Sequence, residues 1–177
     1  AVLASDGALC ECIVVNDGST DRTKEIVAQF SDRVRLLDLP DEPRGPAYAR
    51  NRGAELARGE ILFFVDADIE LADHTLLTRA VNLIKSKSLH CVTTDIFCRD
   101  CGWADRFLFC CNNVAQRLSR FHKPFATGMF MLVDKCRFDE LGGFDEQVLY
   151  AEDYQLTRQI SPGRFRVIRG GIFSTNR

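Results

Sequence analysis

The run Ile61-Leu62-Phe63-Phe64-Val65 ends in Asp66-Ala67-Asp68, and few folds accommodate such an ending. Five consecutive apolar residues predict a strand buried on both faces. Strands of this kind belong to open α/β sheets, which bind ligands outside the carboxyl ends of their strands. Two carboxylates one residue apart at that edge make an oxygen-rich site suited to a hard divalent cation, and a cation so placed holds phosphates. The plainer alternative is a solvated loop after a core strand.

The rest of the chain repeats the same alternation. Leu9 to Val15 predicts a strand that ends in the turn Asn16-Asp17-Gly18-Ser19. Ser19 or Asp21 can cap a helix through Phe30, with Ile26, Val27 and Phe30 on its buried side. Val34 to Leu39 reads as a second strand. Pro46 suits the first turn of a helix rich in small residues (Ala47, Ala49, Gly53, Ala54, Ala57), which permit close packing on a sheet. After the Asp66 strand, Asp73 caps a helix whose Leu76, Leu77, Ala80, Val81 and Ile84 keep helical spacing. His90 to Phe97, Met129 to Val133 and Arg164 to Ile168 read as further strands. The alternation predicts an α/β fold, Rossmann-like, with a mostly parallel sheet and helices on both faces.

Between the last strands lies a helical segment, Trp103 to Phe121, with Phe107, Cys111, Val114, Leu118 and Phe121 on one stripe and Arg106, Arg117, Arg120 and Lys123 beside it. Such a stripe can lie on an anionic membrane surface. Its narrowness favours instead a helix packed on its own domain.

Composition excludes several classes of function. A net charge of −2 provides no basic excess for a nucleic-acid backbone. No apolar run approaches the roughly 20 residues of a membrane span. The 177 residues suffice for one domain over 1–177. Eight cysteines are many for this length, yet the chain reads as a cytoplasmic α/β domain rather than a disulfide framework. Cys10, Cys12 and Cys91 lie in strand-like segments as small hydrophobes. Cys98-x-x-Cys101 with Cys110-Cys111 could hold zinc, but no regular second pair follows.

Three further segments carry polar groups toward the Asp66–Asp68 edge. Asp17 in the first turn can accept from a base or a ribose, or the turn can serve as a helix cap. The arginines of Arg44 to Arg52 can meet a diphosphate, or form a solvated charge run. In Tyr150 to Arg158, Asp153 shares a helix face with Leu156 and Ile160, so its carboxylate points toward the protein body. Glu152 beside it adds a like charge, which suits a general base.

In order, Val14-Val15-Asn16-Asp17-Gly18-Ser19-Thr20-Asp21, Ala49-Arg50-Asn51-Arg52-Gly53, Phe64-Val65-Asp66-Ala67-Asp68, Thr127-Gly128-Met129, Gly142-Gly143-Phe144-Asp145-Glu146 and Glu152-Asp153 resemble a family-two glycosyltransferase of the GT-A fold. The resemblance implies transfer of a sugar from a nucleotide-diphosphate donor to an acceptor hydroxyl, usually with inversion. It implies that Asp17 contacts the base, Asp66 sits near the ribose and Asp68 binds Mg²⁺ or Mn²⁺. Ser19, Arg50 and Ala67 belong with them on the donor side. Gly128 and Met129 line the sugar and acceptor pocket, and Asp153 is the base, with Glu152 beside it. The acceptor can be a glycan, a lipid or a protein, and peripheral membrane contact is compatible with the family.

Two departures stand out: Asn16 occupies a place where the family often has Asp, and the family's opening strand is missing ahead of Ala1. The second leads us to expect a piece of a longer enzyme. Two other functions compete. A phosphatase of the haloacid dehalogenase type would use Asp66 as nucleophile and Asp68 as acid/base, but Glu70 stands where that family expects Thr or Val. A degenerate transferase would bind nucleotide-sugar without turning it over.

Overall fold

A computed structural model describes residues 11–40, 42–99, 101–148 and 150–174. Leu9 and Cys10 at the expected start of the first strand, and Thr175 to Arg177 at the end of the chain, lie outside them. The elements run β1 (Ile13–Asn16), α1 (Thr23–Ala28), β2 (Arg35–Asp38), α2 (Pro46–Leu56), β3 (Ile61–Val65), β4 (Ile69–Leu71), α3 (Leu76–Lys87), β5 (Cys91–Cys98), α4 (Trp103–Ser119), β6 (Phe130–Asp134), α5 (Lys135–Glu140), α6 (Glu152–Thr157) and β7 (Phe165–Ser174).

The strands form two sheets among the described residues. β1 pairs with β2, and the second sheet has the order β3-β6-β5-β7-β4. The α/β architecture is the expected one, with a difference in strand direction. β1–β2 and β5–β7 are parallel, while β3–β6, β5–β6 and β4–β7 are antiparallel. The sheet is therefore mixed. The alternation of strands and helices suggested crossovers throughout, but strand direction depends on long-range pairing that periodicity does not encode.

Helices cover both faces of the larger sheet. On one side α2, α5 and α6 bring Ala47, Ala54, Phe138 and Leu156 against Leu62, Phe64, Met131 and Val133. On the other, α3 lays Leu76, Leu77, Ala80 and Ile84 against Phe130, Leu132, Val92 and Ile96. The alternation Phe130/Met131/Leu132/Val133 between the two layers is the period-two signature of a strand buried on both sides. β3 departs from its expectation. Leu62 and Phe64 are buried, whereas Ile61, Phe63 and Val65 are half-buried, because β3 ends the sheet and the α3 layer only partly covers its second face.

Small residues do what their size allows. A Cβ at Gly53 would stand 3.0 Å from Val15 Cγ2, so α2 lies directly on β1. α1 is shorter than the sequence suggests and buries nothing. Ile26 and Phe30, expected inside, are 52% and 46% exposed.

α4 is turned opposite to the sense its apolar stripe suggests. Its buried residues are polar: Asn113 and Gln116. Asn113 donates to the Ile96 carbonyl (2.8 Å) and accepts from the Ile96 N–H (2.9 Å), and Gln116 donates to the Thr94 carbonyl (2.8 Å). Arg117 pairs with Asp95. The apolar stripe, expected against the domain, faces outward. Phe107, Val114, Leu118 and Phe121 are all more than half exposed, and Cys111 is exposed. Free backbone groups on β5 recruited the amide side chains, and the helix turned its polar face inward to serve them.

Cys98 and Cys101 are joined in a disulfide, and Cys110 and Cys111 are exposed thiols, so the four do not assemble a zinc set. Among the described residues no helix is long and apolar enough to cross a membrane.

Candidate active site

The carboxyl end of β3, the start of α6 and the Thr127-Gly128-Met129 segment before β6 meet at one side chain of α2. Arg50 donates from Nη2 to Asp66 Oδ1 (2.9 Å) and from Nη1 to Glu152 Oε1. The Arg50 and Glu152 side chains are 16% and 9% exposed, and Asp66 is 37% exposed. A planar guanidinium with several fixed donors is suited to holding two carboxylates at once. Its position is set from below by Gly128, whose missing Cβ leaves room for the guanidinium. Arg50, expected to meet a diphosphate, bridges two carboxylates through its two terminal nitrogens.

Asp153 is placed by the same construction. Its Oδ2 accepts from the Gly128 N–H (2.7 Å) and its Oδ1 from the Tyr154 N–H (2.7 Å). The residue before the pair, Ala151, holds the left-handed conformation (φ 60°). A non-glycine residue there marks a chain turn imposed by its surroundings. The expected inward carboxylate is half-buried at Asp153 and buried at Glu152. The negative charge of Glu152 is matched by Arg50, so it does not act on Asp153 as an unpaired like charge.

Asp17 anchors a loop. Its carboxylate accepts from the backbone N–H groups of Arg44 and Gly45 (2.8 Å for Gly45), which fixes the entry to α2. Asn16, buried, donates to Asp38 (2.7 Å) and accepts from the Ser19 N–H (3.1 Å). An amide does both, whereas a carboxylate could not donate to Asp38, so the Asn suits this pairing. Ser19, Ala67 and Asp68 are exposed and Met129 is half-buried. Arg44 stacks on the Tyr48 ring at 4.0 Å, and Arg52 pairs with Glu55 and Glu146.

Sequence reasoning passed over Asn51. Its amide donates to the Phe144 carbonyl (2.8 Å) and Glu146 (2.9 Å) and accepts from the Phe144 N–H (2.9 Å). The Gly142-Gly143-Phe144-Asp145-Glu146 loop is thus hung on the residue beside Arg50. Gly143 has φ 75°, and a Cβ there would come within 2.8 Å of Asn51 Oδ1. The hydrogen bonds from Asn51 and Arg52 hold the Glu146 carboxyl below the usual carboxylate range. The signal was present in the sequence, since Asn51 follows Arg50 in a motif already singled out.

Among the described residues, no cluster of three or more His, Cys, Asp or Glu side chains could hold a metal ion. Asp66 and Asp68 nevertheless form an oxygen-only pair on one strand end. That donor set fits a cation whose other ligands are phosphate oxygens and water. A cleft of about 700 Å³ lies between α2, the Gly142–Gln147 loop and α6. None of Asp66, Asp68 or Asp153 lines it.

Comparison with known proteins bears on this arrangement. The sequence profile described as Glycosyl transferase family 2 matches residues 1–142. "Uncharacterized glycosyltransferase YibD" of Escherichia coli (strain K12) is 43% identical over 77 residues, which is 40% of this chain and 22% of that protein. "Succinoglycan biosynthesis protein ExoO" of Rhizobium meliloti is 45% identical over 69 residues, 38% of this chain and 20% of that protein. Among solved structures, S. aureus TarS in complex with UDP-GlcNAc superposes with a TM-score of 0.75 at 21% identity, covering 99% of this chain and 53% of that one. The mannosyltransferase PcManGT of Pyrobaculum calidifontis, in complex with GDP-Man and Mn²⁺, gives 0.70 at 23% identity, over 94% of this chain and 47% of that one. These likenesses show the fold, which is that of GT-A glycosyltransferases. The chain spans about a fifth of the length of these curated relatives and about half of these solved structures.

Proposed function

The chain belongs to glycosyl transferase family 2, and we propose that it forms the catalytic centre of an enzyme that moves a sugar from a nucleotide-diphosphate donor to an acceptor hydroxyl on a glycan, lipid or protein. The observation that carries this reading is the Asp66–Arg50–Glu152 bridge. It ties the strand end bearing Asp68 to the helix start bearing Asp153, so that two carboxylate pairs 85 residues apart in sequence share one guanidinium.

Asp66 and Asp68 would hold Mg²⁺ or Mn²⁺, which when bound neutralises the charge that develops on the leaving diphosphate. Asp17, Ser19 and Ala67 lie on the donor side, with Gly128 and Met129 beside the transferred sugar. Asp153 is the general base. It removes the proton from the acceptor hydroxyl as that oxygen bonds to the anomeric carbon, and the nucleoside diphosphate leaves with the electrons of the broken bond. A single displacement of this kind inverts the anomeric centre. Arg50 is a positioning residue for both carboxylate pairs, and Glu152 holds Arg50. Family membership removes the phosphatase alternative.

The test is binding and turnover of UDP-, GDP- and dTDP-sugars with and without Mn²⁺. The proposal expects metal-dependent binding that is lost in Asp68→Ala, and an Asp153→Asn variant that binds donor without transfer. Donor binding by the unaltered protein with no turnover toward any acceptor or water identifies a nucleotide-sugar binding module instead. Absence of binding to every donor under every metal condition refutes both.

A further inference from the structure

Among the described residues, the outward face of α4 is the most conspicuous apolar surface. Trp103 is 84% exposed, Phe107 and Leu108 64% each, Val114 51% and Leu118 62%, with Phe121, 70% exposed, just past the helix end. Trp103, Phe107, Val114 and Leu118 follow one another at intervals of 4, 7 and 4 residues, which puts them in one row at 3.6 residues per turn. That row lies opposite Asn113 and Gln116, the residues fixed to β5. The helix is therefore clamped by polar bonds on one side and offers its hydrocarbon on the other. Exposed apolar area of this kind marks a surface that something covers.

Charge selects the occupant. Between Trp103 and Lys123 the chain carries Arg106, Arg117, Arg120 and Lys123 against a single acid, Asp105. Arg117 is paired with Asp95. Arg106, Arg120 and Lys123 flank the apolar row or follow its end, and all three are exposed. A second copy of the chain packed on the same face would bring these cations together, whereas an anionic surface complements them. Bulky aromatics in the row with basic residues at its margins are the signature of a helix lying in the headgroup layer. The helix is too short and too polar on its inner face to cross a bilayer.

We propose that α4 docks the protein flat on an anionic lipid bilayer, with Trp103, Phe107, Val114, Leu118 and Phe121 at the acyl boundary and Arg106, Arg120 and Lys123 among the headgroups. Leu108 connects this face to a cavity of about 350 Å³ that it lines with Phe109, Thr127 and Met129. Docking would set the segment carrying Gly128 beside the lipid surface. The inference does not depend on which reaction the site performs.

Trp103 is the chain's only tryptophan, so its own fluorescence reports the event. Phosphatidylcholine vesicles containing about a third phosphatidylserine should shift its emission to the blue and co-sediment with the protein. Pure phosphatidylcholine vesicles or molar salt should weaken both by about tenfold or more. Phe107→Asp with Leu118→Asp, both at exposed positions, should abolish both signals while leaving the far-UV circular dichroism unchanged. Unshifted emission with anionic vesicles overturns the proposal. So does a blue shift that grows with protein concentration in the absence of lipid, accompanied by dimerisation in the ultracentrifuge, which would assign the face to a second copy.

Discussion

Arg50 lies so close over Gly128 that a Cβ added to the glycine would stand 2.5 Å from the guanidinium carbon and 2.8 Å from Nη1. Gly128→Ala must therefore push the guanidinium out of its place between Asp66 and Glu152. The atoms the methyl meets are the far end of a flexible side chain, but both terminal nitrogens of Arg50 are held in ion pairs, so the displacement breaks them. We expect a loss of about 2 kcal/mol in stability and, because both carboxylate pairs lose their common support, about a tenfold or larger fall in sugar transfer. Urea unfolding and donor turnover on the same preparation check this. Unchanged turnover would show that the bridge does not position the chemistry.

Arg50→Met leaves the Glu152 carboxylate buried without its cation. Breaking such a pair from one side costs about 3 kcal/mol. Glu152→Gln in the same chain removes the stranded charge and should recover most of the loss, whereas two independent contributions would add. The double-mutant cycle decides between them. Arg50→Lys keeps the charge but offers a compact ammonium in place of a fork, and should fall between the two.

What the sequence reveals is uneven here, and Arg50 shows why. Its motif was conspicuous, and so were the segments bearing Asp66 and Glu152. Their meeting was not, because what a guanidinium touches depends on long-range packing that a local motif does not record. Only the fold shows its two terminal nitrogens bridging two carboxylates. β3 was legible as a strand from its apolar run, but its place at the end of a sheet was not, since burial depends on what the other strands do. α4 failed for a different reason. Periodicity locates an apolar stripe without saying which way it points, and Asn113, Gln116 and Arg117 decided that through five hydrogen bonds to β5. The order of motifs identified the fold because segments from strand ends, loops, α2 and the start of α6 hold one another through Arg50, Asn51 and Gly128.

Asn51 carries the Gly142–Glu146 loop through three hydrogen bonds. Asn51→Ala leaves the Phe144 N–H and carbonyl to find other partners, at a cost of about 2 kcal/mol. The loop should open locally before the domain unfolds. Amide hydrogen exchange at Phe144 is the direct readout, and it should speed up more than exchange in β6. Equal acceleration of both would mean that the loop has no separate unfolding. Glu146 adds a pH dependence to the same loop. Its carboxyl is lowered by Asn51 and Arg52, so its contribution is complete above the ordinary glutamate range and is lost as pH falls below it. Asn51→Ala should flatten that acid limb.

His90 governs a higher pH window. Burial holds its imidazole below the ordinary value of 6.5, with the nearby guanidinium groups of Arg137 and Arg164 adding to the effect against Asp134 and Glu140. Its Nδ1 is buried without a hydrogen-bond partner among the described residues. The native state thus keeps this histidine neutral, while the unfolded chain takes up a proton near pH 6.5. Between that pH and the lower folded value the unfolded chain binds more protons, so stability rises with pH and is lost as pH falls. The contribution is whole at pH 7 and above. We expect the midpoint of urea unfolding to drop as the pH is taken from 7 toward 5, before the carboxylates titrate. His90→Gln, which has no charge to acquire, should flatten that segment of the curve and leave the steeper acid limb below about pH 4.5 in place. A variant whose midpoint still falls between pH 7 and 5 as steeply as that of the unaltered protein would remove His90 from the account.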